Sequence, residues 1–287
     1  MLYHVKEFEI TLSDTRMDCI TFGTGVKPLV MIQGLNTRGI RGAGVSLAYL
    51  YRMFAKDYTV YLFDRRTDVR EGITVRDMAA DVAAAMDLLG IADAGVFGVS
   101  QGGMIAQYLA VDRPDLVGRL VLAVTLSRSN DTVKRVICRW LEMTGQGRMR
   151  ELVTDMAEKM YSDEYVKRYK PFMPLLTVLQ QPKDVQRFMI LAKSCLTCDT
   201  YDALDKIRCP VFVIGGRKDR VVSGEASEEI AAKLGCPIWM YDHLGHAAYE
   251  EARDFQRTSI QFPEGISGRS AIRKSCRPGF PGRQKVD

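Results

Sequence analysis

A serine between two glycines is the strongest chemical signal in the sequence. Residues 98–102 read G-V-S-Q-G, a G-x-S-x-G pattern with Ser100 at its centre. An apolar run at 94–99 leads into it, and a stretch rich in small residues at 102–110 follows. A serine on such a strand-to-helix turn projects its hydroxyl above the sheet edge, and the helix N-terminus favours negative charge there. The pattern predicts a nucleophile, whereas a phosphate-binding turn would be expected to carry a G-x-G-x-x-G fingerprint, which this turn lacks.

A serine nucleophile needs a base, and the sequence contains only three histidines. They are His4, His243 and His246. His4 belongs to the N-terminal strands, far from Ser100 in the predicted order of the sheet. His246 follows Gly245 on a loop before a helix, from which its ring can reach over the sheet edge. We therefore predict that His246 is the base, because His243 lies nearer the end of the preceding strand.

A base of this kind is oriented by a carboxylate. Asp219 follows the apolar run at 211–214, so it lies at the carboxyl end of a predicted strand, where α/β sheets collect their sites. Its position also gives the chain order Ser, Asp, His that is expected for this kind of turn. Asp242 is the rival carboxylate, although its nearness to His243 in sequence does not fix a geometry.

Acyl transfer also requires donors for a developing oxyanion. The backbone N–H of Gln101, the residue after the serine, is the first predicted donor. The second is the backbone N–H of Leu35, in the loop at 33–36 that follows an earlier strand. Asn36 is a candidate for a side-chain contact with a substrate, and a solvated loop position is its alternative role.

These residues stand among alternating strand and helix patterns. Residues 5–12 and 16–22 predict an antiparallel hairpin. Short apolar runs typical of strands buried on both faces follow at 28–32, 59–63, 95–99, 120–124, 210–214 and 237–241. Helical patterns separate these runs, most clearly at 74–89. The sequence therefore predicts an α/β fold with a mostly parallel central sheet and flanking helices.

The alternation stops in the middle of the chain. Residues 128–206 contain no convincing strand and predict several helices, including 132–143, 148–160 and 183–195. We predict an α/β core made of residues 1–127 and 207–262, with this helical segment inserted into it. Residues 263–287 are rich in Gly, Pro, Ser and Arg, and we expect a disordered basic tail there.

Composition and charge narrow the class of protein. The chain has 287 residues, of which 47% are hydrophobic and 26% charged, as in an ordinary globular protein. Its net charge of +5 comes largely from the tail, which holds six Lys or Arg and two acids, so the body is nearly neutral and predicts no nucleic-acid partner. We also predict no membrane span, because no apolar run reaches ~18 residues.

The seven scattered cysteines are typical of reduced cytosolic thiols rather than of a disulfide framework. Cys195 and Cys198 form one C-x-x-C, and no second ligand pair for zinc stands nearby. The N-terminus lacks a basic segment followed by an apolar one, so we expect no signal peptide and a cytoplasmic location.

Taken together, these residues resemble the α/β-hydrolase superfamily over roughly residues 20–256. The resemblance is carried by Gly34, G-x-S-x-G-G at 98–103, G-x-x-x-D-x-V at 215–221, and G-H at 245–246. Residues 100–106, S-Q-G-G-M-I-A, are similar to the small esterases, lactonases and cofactor-free peroxidase-like enzymes. The resemblance implies that the insertion is a cap over the site, with Trp140 and the cap methionines as candidates for the pocket lining. It also implies no cofactor.

Two features differ from this family. Many relatives have His-Gly where this chain has Gln33-Gly34, and the family's closing amphipathic helix begins at 247–255 but soon meets Pro263. The residues predict a serine hydrolase for a small-molecule acyl substrate, such as a carboxylic ester. The alternatives are an acyltransferase, a C–C bond hydrolase, a cofactor-free peroxidase-like enzyme, or a non-catalytic ligand-binding protein. A nucleotide-binding protein is not predicted, because the sequence lacks the G-x-G-x-x-G fingerprint at the Ser100 turn. The oligomeric state stays open.

Overall fold

A computed structural model describes residues 2–260, and its centre is an eight-stranded sheet. The strands are β1 (Lys6–Thr11), β2 (Arg16–Phe22), β3 (Lys27–Ile32), β4 (Tyr58–Arg66), β5 (Ala94–Val99), β6 (Val117–Ala123), β7 (Val211–Gly216) and β8 (Ile238–Tyr241). They lie in the order β1-β2-β4-β3-β5-β6-β7-β8. The predicted tail at 263–287 lies outside the described residues.

The strand pairing confirms the predicted fold class. β1 and β2 form the predicted antiparallel hairpin, and β2 also pairs antiparallel with β4. From β4 to β8, every neighbouring pair is parallel. The carboxyl ends of β3, β5, β7 and β8 therefore meet at one edge of the sheet, which is where the predicted site residues follow their strands.

Helices cover both faces of the sheet. The helices of the described chain are α1 (Gly44–Leu50), α2 (Val75–Leu88), α3 (Gln101–Asp112), α4 (Asp131–Gly145), α5 (Met149–Met160), α6 (Asp163–Tyr169), α7 (Met173–Leu179), α8 (Val185–Ser194), α9 (Gly224–Leu234), α10 (Ala248–Glu251) and α11 (Phe255–Ile260), of which α4–α8 form the segment between β6 and β7. In β3, Val30 and Ile32 pack with α2 and α3, whereas Leu29 and Met31 pack on the opposite face with α1 and α11. Burial on both faces explains why these strands read as unbroken apolar runs.

Local signals fix the helix that was clearest in the sequence. Thr74 is the N-cap of α2, its hydroxyl accepts from the backbone N–H of Asp77, and the Asp77 carboxylate accepts from the Thr74 N–H. This capping box satisfies two donors that a helix start would otherwise leave unpaired. The helix therefore begins where the sequence predicts.

The segment between β6 and β7 is helical. It contains α4–α8, and a single bridge between Arg128 and Asp199 is its one strand-like pairing among the described residues. Inside it, the Trp140 indole N–H donates to the buried Asp155 carboxylate at 2.9 Å, which ties α4 to α5. Asn130 caps α4 and its amide also donates to the Val222 carbonyl, so the segment is anchored near β7.

The end of the described chain differs from the sequence expectation. The predicted helix at 247–255 is two short helices, α10 and α11, because Ala252 adopts extended backbone angles between them. This break lets Phe255 bury its ring edge-on against Phe97, with centroids 6.1 Å apart. The break between α10 and α11 thus accompanies the packing of Phe255 against the sheet.

Candidate active site

Ser100 occupies a strained turn between β5 and α3. Its φ of 53° and ψ of −118° lie in a region that residues other than glycine rarely adopt. The neighbouring glycines make the turn possible: a Cβ on Gly102 would lie 1.9 Å from the Ile32 carbonyl oxygen. The serine hydroxyl is thereby held at the N-terminus of α3, where the helix dipole favours a developing anion.

The structure brings Ser100, His246 and Asp219 together in one hydrogen-bonded chain. His246 Nε2 lies 2.9 Å from Ser100 Oγ, and His246 Nδ1 lies 2.7 Å from Asp219 Oδ2. The side chains of His246 and Asp219 are 4% and 2% exposed, so bulk water does not compete for their contact. The arrangement can pass a proton from the serine hydroxyl to an oriented imidazole.

Backbone groups fix the carboxylate of Asp219. Its second oxygen, Oδ1, accepts from the N–H groups of Val221 and Val222 at 2.7 and 3.0 Å. Oδ2 is therefore left to face His246. The loop that carries His246 is held in turn, because the Ala247 N–H donates to the carbonyl of Met160 at the end of α5.

The rival residues lie elsewhere. His243 is exposed, and so is His4. Asp242 accepts from the Arg217 guanidinium at 2.8 Å, in a surface ion pair. Neither His243 nor Asp242 belongs to the Ser100 chain of hydrogen bonds.

The loop after β3 approaches Ser100 closely. A Cβ on Gly34 would lie 3.2 Å from the Ser100 Cβ, and Leu35 lines the space beside Ser100 together with His246. The backbone N–H groups of Leu35 and Gln101 have no hydrogen-bond acceptor among residues 2–260. These are the two N–H groups that the sequence suggests as anion donors.

Arg65 is a residue that sequence reasoning missed. It is 3% exposed, and its guanidinium donates to the Gln101 side-chain oxygen at 3.0 and 3.2 Å. It also donates to the carbonyls of Gln33 and Gly34. Burial lowers the pKa of Arg65 to about 10, and the nearby Asp64 carboxylate opposes this shift. One cation thus joins the loop after β3 to the turn that carries Ser100.

The Gln101 side chain completes this link toward the helical segment. Its amide nitrogen donates to the Leu191 carbonyl at 2.7 Å and to the Ser194 hydroxyl at 3.1 Å, both on α8. The roles of Arg65 and of the Gln101 side chain were not predicted from the sequence, because Arg65 lies in a run of charged residues that resembles a solvated strand end. The only available signal was that β4 ends in an acid and two arginines where β3 and β5 end in glycine-containing turns.

Two neighbouring cavities lie near the Ser100 turn, and Ser100 itself lines the smaller one. The smaller, about 30 Å³, is lined by Ser100, His246 and apolar side chains that include Trp140. The larger, about 540 Å³, lies between α1 and helices α5–α7. Asn36 borders the larger cavity, and its amide nitrogen has no partner among the described residues. Gly34, Leu35, Met156, Met160 and Tyr249 line both cavities, so the two spaces are adjacent.

The C-x-x-C cysteines are buried beside this region. Burial raises the pKa of both Cys195 and Cys198 to about 12, so both are thiols near neutral pH. Residues 2–260 contain no group of three or more His, Cys, Asp or Glu side chains placed to hold a metal ion. Over the same residues, no helix combines the length and hydropathy of a transmembrane segment.

The sequence is similar to proteins that are named for different enzyme activities. It is 41% identical over 110 residues to BpoC of Mycobacterium tuberculosis, named as a non-heme bromoperoxidase; that match covers 37% of this chain and only 40% of that protein. It is 27% identical over 206 residues to RutD of a Caulobacter species, named as a carbamate hydrolase, covering 68% of this chain and 76% of the relative.

A solved alpha/beta hydrolase from a Medee basin deep-sea metagenome library has the same fold, with a TM-score of 0.80 at 20% identity over 89% of this chain and 96% of that one. The sequence pattern of the alpha/beta hydrolase family matches residues 40–257, most of the chain. That match includes Ser100, Asp219 and His246. The protein belongs to the alpha/beta hydrolase family.

Proposed function

We propose that this protein is a serine hydrolase that cleaves a small carboxylic ester, or a related acyl compound, through an acyl-enzyme on Ser100. The observation that carries the proposal is the hydrogen-bonded chain from Ser100 Oγ through His246 to Asp219. A pure binding protein has no need of a buried carboxylate that holds one tautomer of a histidine against a serine. Membership of a hydrolase family supports the same class of reaction.

The reaction follows from the positions of these atoms. Ser100 Oγ attacks the acyl carbonyl while His246 Nε2 accepts its proton, and Asp219 stabilises the imidazolium that forms. The N–H groups of Leu35 and Gln101 stabilise the oxyanion. His246 then protonates the leaving alcohol, and afterwards takes a proton from the water that releases the acid. The smaller cavity holds the reacting carbonyl, and the helical segment at 128–206 acts as the cap.

Turnover of simple esters tests the proposal. The wild-type protein is expected to hydrolyse p-nitrophenyl esters of short fatty acids, with steady-state release of p-nitrophenolate, because p-nitrophenolate leaves readily once Ser100 attacks the acyl carbon. A series from acetate to octanoate, extended to lactones and thioesters, reports the preferred acyl group. Complete inactivity toward this series, together with failure of a fluorophosphonate to label the protein, would favour the non-catalytic binding alternative.

Arg65 is proposed to be a positioning residue, because it holds the two backbone segments that carry the oxyanion donors. Arg65→Met is expected to lower kcat roughly 10- to 100-fold, less than the loss of one donor itself, and to change KM little. Loss of the guanidinium also removes the donor to the Gln101 side-chain oxygen and to two carbonyls, which costs about 3 kcal/mol of unfolding free energy. Urea unfolding and the separate kcat and KM values measure these effects.

Arg76→Met is the matched control, since Arg76 makes an exposed ion pair with Asp112. Its expected cost is at most about 1 kcal/mol, with unchanged turnover. A variant Arg65→Met that loses stability but keeps kcat would reduce Arg65 to a structural residue.

A peroxidase-like activity is the second candidate, favoured by the 41% identity to the protein named as a bromoperoxidase. In this reaction, hydrogen peroxide replaces water as acceptor of the acyl group, and the released peroxy acid oxidises bromide. Bromination of monochlorodimedone with acetate and hydrogen peroxide measures it. Dependence of the bromination on Ser100 separates this route from free oxidation by peroxide.

A further inference from the structure

The larger cavity, next to the smaller one that Ser100 lines, has a distinct chemical character. Its volume is about 540 Å³, in the range of small-molecule sites. Tyrosine rings form much of its wall: Tyr51, Tyr161, Tyr165, Tyr169 and Tyr249. Three of these rings stack from just before α6 to its end. The centroid of the Tyr165 ring lies 4.4 Å from that of Tyr161 and 4.4 Å from that of Tyr169. The wall is therefore rich in aromatic rings and phenol oxygens.

A single carboxylate stands in this wall. Glu250 is the one lining residue in the described chain that carries a formal charge, and no Lys or Arg borders the cavity. The Tyr161 hydroxyl donates to Glu250 Oε2 at 2.5 Å, and Tyr249 lies beside Glu250 in the wall. The neutral Tyr161 donor leaves the negative charge of Glu250 without a fixed cation in the cavity.

Glu250 is exposed to solvent, but its surroundings still disfavour an uncompensated charge. Partial loss of solvation raises the pKa of Glu250, hydrogen bonding to tyrosine lowers it, and the neighbouring Glu251 raises it again. His246, which also lowers it, is engaged by Asp219 and Ser100. A carboxylate in such a place gains most from a ligand that brings its own positive charge.

We propose that this cavity binds a cationic, ammonium-type group of the substrate, with Glu250 as its counter-ion and the tyrosine rings as its aromatic wall. The inference rests on the proposed function, because the cation would be part of the molecule whose acyl carbon Ser100 attacks. Cations are attracted both to carboxylates and to the faces of aromatic rings, and desolvation strengthens both attractions. An anionic substrate would be repelled by the same carboxylate. The natural substrate class is thus a cationic ester or acyl compound rather than an acidic one.

Pairs of isosteric esters test this proposal. The first pair carries the difference on the acyl side: p-nitrophenyl 4-(trimethylammonio)butanoate against p-nitrophenyl 5,5-dimethylhexanoate. The second carries it on the alcohol side: butyrylcholine against 3,3-dimethylbutyl butyrate. Each kcat/KM is divided by the rate constant for hydroxide hydrolysis of the same ester. In at least one pair, the cationic ester is expected to be preferred by roughly tenfold.

Substitution of Glu250 tests whether its carboxylate causes the preference for the cationic ester. Glu250→Gln keeps the shape of the side chain, and it is expected to bring the normalised ratio close to one. Glu158→Gln is the matched control, because it removes an exposed charge from α5, a helix that lines the cavity with other residues, and it should leave the ratio unchanged. Glu250→Met, which suits a cavity wall, repeats the test if the glutamine variant does not fold.

The outcomes separate this inference from the proposed function. A normalised ratio of one or less in both pairs for the wild-type protein overturns the inference, and so does a preference that survives in both Glu250 variants. If the wild-type protein hydrolyses none of the four esters and resists fluorophosphonate, the proposed function itself fails. Hydrolysis of the neutral esters without a preference for the cationic ones supports the proposed function and overturns the cation-binding inference.

Discussion

Ser100→Ala is expected to lower kcat for p-nitrophenyl butyrate by about 10⁵-fold, down to the rate that binding and the remaining donors alone provide. The variant lacks the atom that forms the acyl-enzyme, while His246 and Asp219 keep their contact. KM should change little, because the one hydrogen bond of Ser100 Oγ among the described residues is to His246 rather than to the cavity wall. The unfolding free energy should stay within about 1 kcal/mol of the wild-type value, since one exchanged hydroxyl near the surface of the cavity costs little.

Ser127→Ala is the matched control for this variant. Ser127 is a buried serine close to the end of β6, and its hydroxyl has no partner among the described residues. Its turnover should equal that of the wild-type protein. Residual turnover by Ser100→Ala within 100-fold of wild type, after the protein has been purified free of other esterases, would contradict the assignment of the nucleophile.

Asp219→Asn is expected to lower kcat by about 10⁴-fold with little change in fold. The backbone N–H groups of Val221 and Val222 both require an acceptor, so the amide oxygen takes the place of Oδ1. The amide NH₂ then faces His246 Nδ1 and forces that nitrogen to accept. The imidazole proton moves to Nε2, which can no longer take a proton from Ser100.

Asp242→Asn provides the control for this prediction. Asp242 lies on the same sheet edge and is the rival suggested by sequence, but it pairs with Arg217 at the surface. Its turnover should remain within about twofold of wild type, as expected for a surface ion pair. A large loss in Asp242→Asn, combined with a small loss in Asp219→Asn, would reverse the choice of carboxylate.

Much of the fold was predictable because burial on both faces leaves a plain sequence pattern. Each parallel strand appeared as a short apolar run, as with β3, where adjacent residues pack on opposite faces. The Ser100 turn, Asp219 and His246 were predictable for a related reason. Each follows a recognisable strand, and parallel strands bring their carboxyl ends to a common edge. Their distances from one another came only from the structure.

Other parts depend on contacts between residues that are remote in sequence. β4 extends to Arg66, three residues beyond the predicted run, because each added charge finds a partner there. Asp64 accepts from the Ile40 N–H, Arg65 reaches Gln101, and Arg66 pairs with Asp81. A run of charged residues suggests a solvent-exposed segment when the partners of those residues are remote in sequence.

The cavity is the least predictable part of the site. Its wall combines the loop after β3, α1, helices α5–α7 and α10, so no single stretch of sequence encodes it. Trp140 does border the space next to Ser100, as the family resemblance implies, while Asn36 borders the larger cavity instead. Glu250 appeared in the sequence only as one of two adjacent acids. The absence of a cofactor and the cytoplasmic location stay predictions.

Covalent labelling followed by mass spectrometry tests the central claim most directly. The wild-type protein is incubated with a fluorophosphonate, its intact mass is measured, and the modified peptide is sequenced. We expect one adduct per chain, located on Ser100. Ester turnover should fall in proportion to the labelled fraction and be lost when labelling is complete. An adduct on another residue, or full labelling that leaves turnover intact, would contradict Ser100 as the nucleophile.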